Sequence, residues 1–516
     1  MVERLVRLIE SDGCARDGTT VNMVDHLGDL GGLDGAYAVA WEETDGSLHL
    51  ARDPVGARSL YWGRANDGRV LYSTRLIDLL RAGAGHSREL DSGGLLAFLT
   101  TAYVPGERTL VRGVSAVPPG VELIFDRDGR GPLRRPFALM PASPSIYESE
   151  ARLRERLRCT LEQTVERLLP HGPDGPDGAV AASLSGGIDS SLVVALAARR
   201  RPVHTLSITF GPEHRDEVEF SALVARHCGA THEVVVVRPE DILTRFDATV
   251  GALSEPNGDP LTVPNDLLFE AAARSGHRVV LNGEGGDPCF GGPKNAPLLL
   301  SELYGDPDEP FAGERAYLRS HQKLWDDLDH LLEPGLIGEA ERLSLLSIVT
   351  PGLCDPRWPS FLDRLMAMNV AWKGAGHILP KVEHLAAKNG VLARSPLFDW
   401  ALVRLAFELP PELKRSGSIE KYLLKEAIRD TLPERIIERP KSGMMVPVEA
   451  WFQGPLRAFA RERLLDGLAH RPGFRRPYLE ALLDKRLTGL RPRRGVKIWL
   501  LLTLESWLRQ VYDSPS

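Results

Sequence analysis

Residues 183–191 constrain the fold more than any other part of the chain, and their sequence is Ser-Leu-Ser-Gly-Gly-Ile-Asp-Ser-Ser. An apolar run that begins at Ala179 precedes them, and an apolar, helix-prone stretch that begins at Leu192 follows. Adjacent glycines let a backbone turn sharply, because they lack the Cβ atom that restricts other residues. The pattern therefore predicts a buried strand, a tight turn and a helix, which is the repeating unit of a parallel α/β sheet.

The same loop has the composition of a polyphosphate-binding site. The helix after it would direct its first N–H groups and the positive end of its dipole at an anion beside Gly186 and Gly187. Three hydroxyl groups add further donors: Ser185, Ser190 and Ser191. Asp189 places a carboxylate beside that anion, which is repulsive unless a divalent cation bridges the two. The sequence predicts a metal-bound polyphosphate here, and the alternative is a serine-rich turn that binds no ligand.

Other phosphate-binding patterns fit this loop less well. The Walker motif ends in Gly-Lys-Ser or Gly-Lys-Thr, and the loop has no such lysine. The dinucleotide fingerprint needs three spaced glycines, which are also missing. The string Ser-Gly-Gly-x-Asp-Ser-Ser instead resembles the pyrophosphate loop of the ATP pyrophosphatases, which split ATP into AMP and pyrophosphate.

A second glycine-rich loop, at residues 283–287, follows another predicted strand that ends at Asn282. Ligands of parallel sheets bind beyond the carboxyl ends of the strands, so we expect the two loops to lie side by side. Asp287 supplies a second carboxylate, and Mg²⁺ is typically held by one or two carboxylates together with phosphate oxygens and water. Asp189 and Asp287 are therefore predicted to bind one Mg²⁺. The alternative for the second loop is a glycine turn with a capping aspartate.

Composition excludes several classes of protein. The chain has 516 residues, 43% hydrophobic and 26% charged, which is typical of a globular protein with two to four domains. A formal net charge of −7 gives no overall attraction to nucleic acid or to an anionic membrane. Five scattered cysteines form no Cys-x-x-Cys pair, which favours a reduced, cytoplasmic protein without a zinc knuckle. Neither a long apolar span nor a signal peptide is predicted.

The pattern of the chain changes near residue 150. Before it, short apolar runs separated by turns, such as the Asp45-Gly46 hairpin, predict antiparallel strands. A Pro- and Ser-rich linker is predicted over residues 136–149, and a helix over residues 148–169. Parallel strands that alternate with helices are then predicted at 180–184, 203–209, 232–237 and 278–282. Beyond about residue 310 the sequence is mostly helical.

Several motifs, in order, make the chain similar to the asparagine synthetase superfamily over nearly its whole length. They lie at residues 33–41, 51–61, 103–110, 117–120, 185–191, 254–260, 283–287, 290–292, 394–399, 421–425, 432–433 and 439–443. The resemblance implies an α/β protein of two domains. Residues 1–140 would form a truncated, degenerate class II glutaminase-like α+β domain. Residues 150–512 would form a synthetase domain with an adenine-nucleotide-hydrolase-like parallel sheet and a helical C-terminal part.

The resemblance also implies a reaction. A substrate carboxylate attacks the α-phosphate of ATP, pyrophosphate leaves, and an amine displaces AMP from the acyl-adenylate to give an amide. The pyrophosphate contacts implied are Ser185, Gly186, Gly187, Ser190 and Ser191, and the Mg²⁺ ligands are Asp189 and Asp287. Contacts to the adenosine are implied for Ser183, Ile208, Asn282 and Gly283. The catalytic residues implied are Lys441, Lys421 and Glu284, although Lys425 is an alternative to Lys421, and Glu284 has the alternative of a solvated loop residue.

The chain also departs from the superfamily. Glutamine-hydrolysing members carry Cys directly after the initiator Met, whereas residue 2 is Val, and Cys14 would lack the free α-amine that acts as base. A Ser-Asp contact to glutamine is replaced by Gly-Thr-Thr-Val-Asn at residues 18–22. The β-lactam-forming members pair a tyrosine at the position of Glu284 with a glutamate near Ala393, and neither is present. We therefore expect neither glutaminase activity nor a β-lactam product.

The leading hypothesis is an ATP-dependent amide ligase of natural-product biosynthesis, resembling the lasso-peptide cyclases. Its partners would be a small-molecule or peptide carboxylic acid and an amine, with a precursor peptide or its processing protein as further candidates, and no nucleic acid or membrane. The alternatives are a glutamine-dependent asparagine synthetase with an upstream start, a tRNA-modifying pyrophosphatase, and a pseudoenzyme that only binds. The sequence leaves open the two substrates, intramolecular against intermolecular coupling, and the oligomeric state.

Overall fold

The computed structural model describes residues 6–11, 30, 33, 35–85, 89–141, 148–172, 174–214, 216–292, 298–299, 309–336, 338–441, 443–486 and 493–513. Val2, Cys14 and residues 18–22, on which the glutaminase prediction depends, lie outside that set. Among the described residues, no helix combines the length and the apolar character that crossing a bilayer requires.

Two antiparallel sheets form the N-terminal part of the chain. The strands of the larger sheet are, in spatial order, Val6–Ser11, Tyr37–Glu42, Leu48–Arg52, Val121–Phe125 and Leu133–Pro136. Those of the smaller sheet are Val70–Ser73, Tyr61–Arg64 and Val114–Ala116. Apolar side chains from both sheets pack together, with the rings of Trp62 and Phe125 centred 4.9 Å apart. The predicted hairpin at Asp45-Gly46 is confirmed, since it joins two paired strands.

A five-stranded parallel sheet forms the centre of the part of the chain that follows residue 150. Its strands are, from edge to edge, Thr231–Val236, Val203–Thr209, Val180–Ser183, Val279–Leu281 and Leu392–Arg394. All neighbouring pairs are parallel, which confirms the α/β prediction, and four of the strands match the predicted ones. Successive residues of a strand face opposite sides of a sheet. Accordingly, Ala181 packs in one apolar core, whereas Val180 and Ala182 pack in the other.

The order of these strands creates a specific binding position. In chain order the sheet runs 3-2-1-4-5, so the connections wind in opposite directions from Val180–Ser183 and from Val279–Leu281, which are direct neighbours. Such a point of reversal opens a crevice outside the carboxyl ends of the two strands, and ligands of open α/β sheets bind there. The two predicted phosphate loops follow these two strands. The fold therefore brings them to the same crevice.

Helices flank the parallel sheet and continue to the end of the chain. Those before residue 300 are Leu76–Arg81, Ser92–Thr101, Glu150–Leu168, Ile188–Ala198, Val218–His227, Pro239–Gly251, Thr262–Arg274 and Gly286–Cys289. The later ones are Ala312–Ser320, Leu328–Leu331, Glu339–Leu353, Phe361–Met368, Leu379–Lys388, Trp400–Glu408, Pro411–Lys414, Tyr422–Ala427, Glu434–Ile437, Val448–Trp451, Arg457–Arg461, Arg476–Leu483 and Arg494–Trp507. Three π-helical segments adjoin these helices: Asn369–Ile378 precedes Leu379–Lys388, Glu462–Gly467 follows Arg457–Arg461, and Leu508–Tyr512 follows Arg494–Trp507. The helix predicted at 148–169 and the helical C-terminal part are confirmed.

Buried polar groups join the antiparallel part to the helical part. Glu383 accepts hydrogen bonds from the backbone N–H and the hydroxyl of Ser59, at 3.0 and 2.6 Å, and lies 3.9 Å from Arg58. A second contact runs from the backbone N–H of Leu110 to the carboxylate of Glu255, at 3.1 Å. Burial raises the pKa of Glu255 to about 8, against the opposing effect of the Leu110 hydrogen bond.

We predict that Glu255 makes stability depend on pH. Its carboxyl stays protonated in the folded chain up to about pH 8 but ionises near 4.5 when unfolded. The folded state therefore holds more protons in this window, so the stability contribution is present at low pH and is lost as the pH rises towards 8. The thermal midpoint of Glu255→Gln, which does not titrate, should rise relative to that of the natural chain between about pH 5 and pH 8. Parallel pH profiles of the two proteins would contradict this.

Candidate active site

The crevice brings the two predicted carboxylates together. Asp189 lies in the first turn of the helix Ile188–Ala198, and Asp287 lies in the short helix Gly286–Cys289 after the neighbouring strand. Both side chains contact one cation, because Lys421 donates from Nζ to the two oxygens of Asp189 at 2.7 Å and approaches Oδ1 of Asp287 to 2.6 Å. Two carboxylates that share one Nζ are close enough to share another cation.

Lys421 is held in place by its backbone as well as by charge. A two-stranded hairpin, Arg415–Ser416 with Ile419–Glu420, delivers it to the crevice. The residue then adopts a left-handed conformation, with φ 54°, directly before the helix Tyr422–Ala427. Its side chain is only 2% exposed. Burial alone would lower the pKa of Lys421, but the carboxylates of Asp189 and Asp287 raise it above its usual value, so the lysine is charged.

Lys441, twenty residues after Lys421 in the sequence, approaches the same two carboxylates. Its Nζ lies 3.3 Å from Oδ2 of Asp287 and 3.7 Å from Oδ2 of Asp189. Lys441 and Lys421 line one small cleft beside Gly187 and Ile188, but 29% of the Lys441 side chain is exposed against 2% of the Lys421 side chain. The structure thus places one fixed and one accessible lysine at the phosphate loop. Lys425 also lines this cleft, but of Lys421 and Lys425 it is Lys421 that contacts both carboxylates.

Glycines of the second loop let the two loops touch. A Cβ on Gly283 would lie 2.3 Å from the backbone nitrogen of Ser190, and one on Gly286 would lie 2.1 Å from Oδ1 of Asp189. Real Cβ atoms do not approach other atoms so closely, so these positions need glycine. Close approach to an anion was the expected reason for glycine here. The structure adds another reason, which is the approach of one loop to the other.

The serines of the first loop close it upon itself. The hydroxyl oxygen of Ser190 accepts from the backbone N–H of Ser185 at 3.1 Å, and that of Ser185 accepts from the N–H of Gly187 at 3.3 Å. The hydroxyl of Ser191 is buried and has no hydrogen-bond partner among the described residues. A helix N-terminus with an unpaired buried hydroxyl suits an anion. These observations agree with the predicted polyphosphate loop.

The residues expected at the adenosine lie on the same edge of the sheet. Ser183 ends the strand Val180–Ser183, and Ile208 lies in the adjacent strand, near its carboxyl end. Asn282 follows the other central strand. Its Oδ1 accepts from the N–H of Glu284 at 3.0 Å, whereas its buried Nδ2 has no partner within the described part of the chain. The unpaired amide is available to a ligand.

One buried ion pair near Glu284 has no counterpart in the sequence-based prediction. Lys381 donates to Oδ2 of Asp259 at 2.6 Å, and its side chain is 3% exposed. Burial would lower the pKa of Lys381, but Asp259 and then Glu284 raise it above its usual value. The motif at 254–260 contained Asp259, yet no pattern linked it to a lysine 122 residues away. Glu284 therefore lies within electrostatic reach of this charge pair.

The donor set fits Mg²⁺ bound together with phosphate. No cluster of three or more His, Cys, Asp or Glu side chains that could hold a metal alone occurs in the described ranges. Asp189 and Asp287 supply two carboxylates, and Mg²⁺ completes its shell with phosphate oxygens and water when protein ligands are few. A metal here would depend on the polyphosphate, which is the arrangement the sequence predicted.

Comparison with known proteins finds two family models along the chain. The asparagine synthase family model matches residues 156–509, and the glutamine amidotransferase domain model matches residues 22–135. Asparagine synthetase [glutamine-hydrolyzing] 1 of Bacillus subtilis is 25% identical over 508 residues, covering 92% of this chain and 77% of that protein. Amidase chyE of Penicillium rubens is 24% identical, covering 82% and 71%.

A likeness to solved structures is weaker. An NH3-dependent NAD synthetase from Campylobacter jejuni is similar over 43% of this chain and 93% of that one, at 16% identity. The TM-score of this match is 0.20.

The fold and the family matches define the class of the protein as a carbon–nitrogen ligase that uses ATP and forms AMP and pyrophosphate. The chain belongs to the asparagine synthase family, since the family model spans more than half of its residues.

We predict that Gly283→Ala destabilises the chain, because the new Cβ meets the backbone of Ser190. Overpacking of this kind costs about 1–3 kcal/mol of the free energy of unfolding. Gly172→Ala is the matched control, since nothing lies within 4 Å of its Cβ position, and it should change stability by less than about 0.5 kcal/mol. Denaturant unfolding of both variants measures this. Equal stabilities would show that the loops can separate at no cost.

Proposed function

We propose that the chain is an amide-bond-forming ligase that adenylates a carboxylic acid and couples it to an amine other than glutamine-derived ammonia. The observation that carries the proposal is the convergence of Asp189, Asp287, Lys421 and Lys441 at the crevice between the two central strands. A turn that binds no ligand has no need of two carboxylates and two ammonium groups in contact with one another. Such a set suits the handling of a polyphosphate with its cation.

In this proposal the residues of the first loop bind the β- and γ-phosphates of ATP. Backbone N–H groups at Gly186 and Gly187, with the nearby serine hydroxyls, donate to the phosphate oxygens, as at other helix N-termini. Asp189 and Asp287 would hold Mg²⁺, which when bound neutralises the departing pyrophosphate. Ser183, Ile208, Asn282 and Gly283 would line the adenosine. These roles leave the α-phosphate between the two loops.

The two lysines have different tasks. Lys421 is buried and keeps the carboxylates at a fixed distance, so it holds the metal site in position before substrate arrives. Lys441 is accessible and lies beside Asp287, where negative charge develops on the phosphates as the carboxylate attacks. A fixed cation aimed at developing charge is a strong stabiliser in a shielded site. Glu284 would accept the proton of the attacking amine.

The nitrogen source follows from sequence rather than from geometry. The Gly-Thr-Thr-Val-Asn segment at 18–22 stands where glutamine-hydrolysing relatives have their glutamine contact. An amine on the acid substrate itself would have a high effective concentration without a second binding event. The relative named amidase chyE, beside the asparagine synthetases, supports products other than asparagine. We therefore propose a bulky or peptide-like acid in natural-product biosynthesis, with macrolactam closure or amine coupling as the outcome.

The chain should convert ATP to AMP and pyrophosphate only when Mg²⁺ and a suitable acid are present. The measurement is phosphorus NMR of reactions with a panel of amino acids, small acids and linear peptides, read beside mass spectrometry of the organic product. Loss of one water from a peptide would support cyclisation. ADP and phosphate as products would overturn the adenylation, and asparagine formed from aspartate and ammonia, without activity on larger acids, would overturn the substrate proposal.

Glutamine serves as the control for the nitrogen source. We expect no glutamate release above a reaction without enzyme, whichever acid is present. Release that depends on the chain would contradict the proposed loss of glutaminase activity and would favour the ordinary asparagine synthetase.

Lys441→Ala should fold normally and lose about 10²–10³-fold in the rate of AMP formation, because one charge-stabilising donor is removed. Lys441→Arg should not restore the rate, since a guanidinium differs in shape and donor geometry from an ammonium. Lys425→Ala is the matched control, because Lys425 lines the same cleft. It should stay within a few-fold of the natural chain. A Lys441→Ala rate as high as that of the control would remove Lys441 from the mechanism.

A further inference from the structure

Arg439 makes contacts that none of the proposed roles uses. Its guanidinium donates from Nη1 to the carbonyl oxygen of Gly186 at 3.1 Å, and from Nη2 to the carboxylate of Glu217. The same guanidinium lies over the ring of Phe220, 3.8 Å from its centroid. Only 12% of the Arg439 side chain and 8% of the Glu217 side chain are exposed. A planar group fixed on three sides has one orientation.

The contact with Gly186 determines the direction of the next amide. A trans peptide is planar, so the carbonyl of Gly186 and the N–H of Gly187 point to opposite sides of the chain. Arg439 holds that carbonyl on the outside of the loop. The N–H of Gly187 accordingly points inward, where the hydroxyl oxygen of Ser185 accepts it at 3.3 Å.

The backbone at this point has little intrinsic preference of its own. Gly186 has a φ of 74°, and a Cβ there would lie 2.6 Å from Cβ of Phe220. Glycine is therefore required, but glycine is also the residue that rotates most freely. An external contact that fixes the peptide plane removes that freedom before a ligand binds.

We propose that Arg439 is a positioning residue, which fixes the peptide plane between Gly186 and Gly187 at the phosphate loop and anchors the segment that carries Lys441. The inference rests on the proposed polyphosphate site and names a further residue that this site needs. Pro440 separates Arg439 from Lys441 and fixes its own φ, which restricts the backbone between the two basic residues. The hydrogen bond from Arg439 to Gly186 thus orients the loop and also anchors the segment that carries Lys441.

The test compares ligands that include or lack the outer phosphates. Calorimetric titrations of the full chain use MgATP, magnesium pyrophosphate and AMP. For Arg439→Gln we expect pyrophosphate and ATP to bind about tenfold more weakly, the effect of losing hydrogen bonds from a charged group, while AMP stays within about twofold. A role confined to stability would weaken all three ligands together or none of them.

Arg435→Gln is the matched control, because Arg435 lies over the same ring at 5.1 Å and pairs with Glu219 on the surface, without a hydrogen bond to the loop. All three affinities should stay within about twofold of the natural chain, as expected of an exposed ion pair. Arg439→Lys keeps the charge but not the planar fork, so it should also weaken pyrophosphate selectively.

Glu217→Gln tests the same contact if Arg439→Gln does not fold, as judged by circular dichroism. It leaves Arg439 in place but weakens its anchor, and the same selective loss of pyrophosphate binding is expected. Unchanged pyrophosphate affinity in folded Arg439→Gln, or an equal loss of AMP, would overturn the inference. A natural chain that binds neither ATP nor pyrophosphate would instead overturn the proposed function itself.

Discussion

The site depends on one buried ionic contact, in which the ammonium of Lys421 lies between the carboxylates of Asp189 and Asp287. Two enclosed carboxylates repel each other, and burial disfavours their charged forms, unless a cation lies between them. The lysine provides that cation before any metal or nucleotide binds. It holds the two carboxylates close together, which is the arrangement that a divalent cation needs from its ligands.

The rest of the structure serves to bring these three residues together. Asp189 and Asp287 follow adjacent parallel strands at the point where the winding of the sheet reverses. Lys421 directly follows a hairpin far along the chain, and its own left-handed backbone conformation directs the chain into the crevice. Gly283 lets the second loop approach the backbone of Ser190 in the first loop. The crevice, the hairpin and the glycine are therefore parts of one arrangement.

Local sequence patterns predicted much of this arrangement, but they could not predict contacts between residues that are far apart in the sequence. Glycine pairs after apolar runs marked both loops, and strand–helix alternation implied a parallel sheet. The edge strand Leu392–Arg394 was missed, because Leu-Ala-Arg has none of the β-branched residues that marked the equally short strand Val279–Leu281. The contact of Lys421 with Asp189 spans 232 residues, and that of Arg439 with Gly186 spans 253, so only the folded chain reveals them. Family resemblance pointed to Lys421 and Lys441, whereas the contacts of Arg439 and Lys381 are visible only in the folded chain.

The central claim is that Asp189 and Asp287 hold a divalent cation on a polyphosphate, and electron paramagnetic resonance with Mn²⁺ in place of Mg²⁺ tests it without knowledge of the acid or the amine. Adding pyrophosphate to the natural chain should produce one bound Mn²⁺ whose spectrum shows hyperfine coupling to phosphorus. Asp287→Asn should lose that signal. Bound Mn²⁺ without phosphorus coupling, or coupling that persists unchanged in Asp287→Asn, would contradict the account.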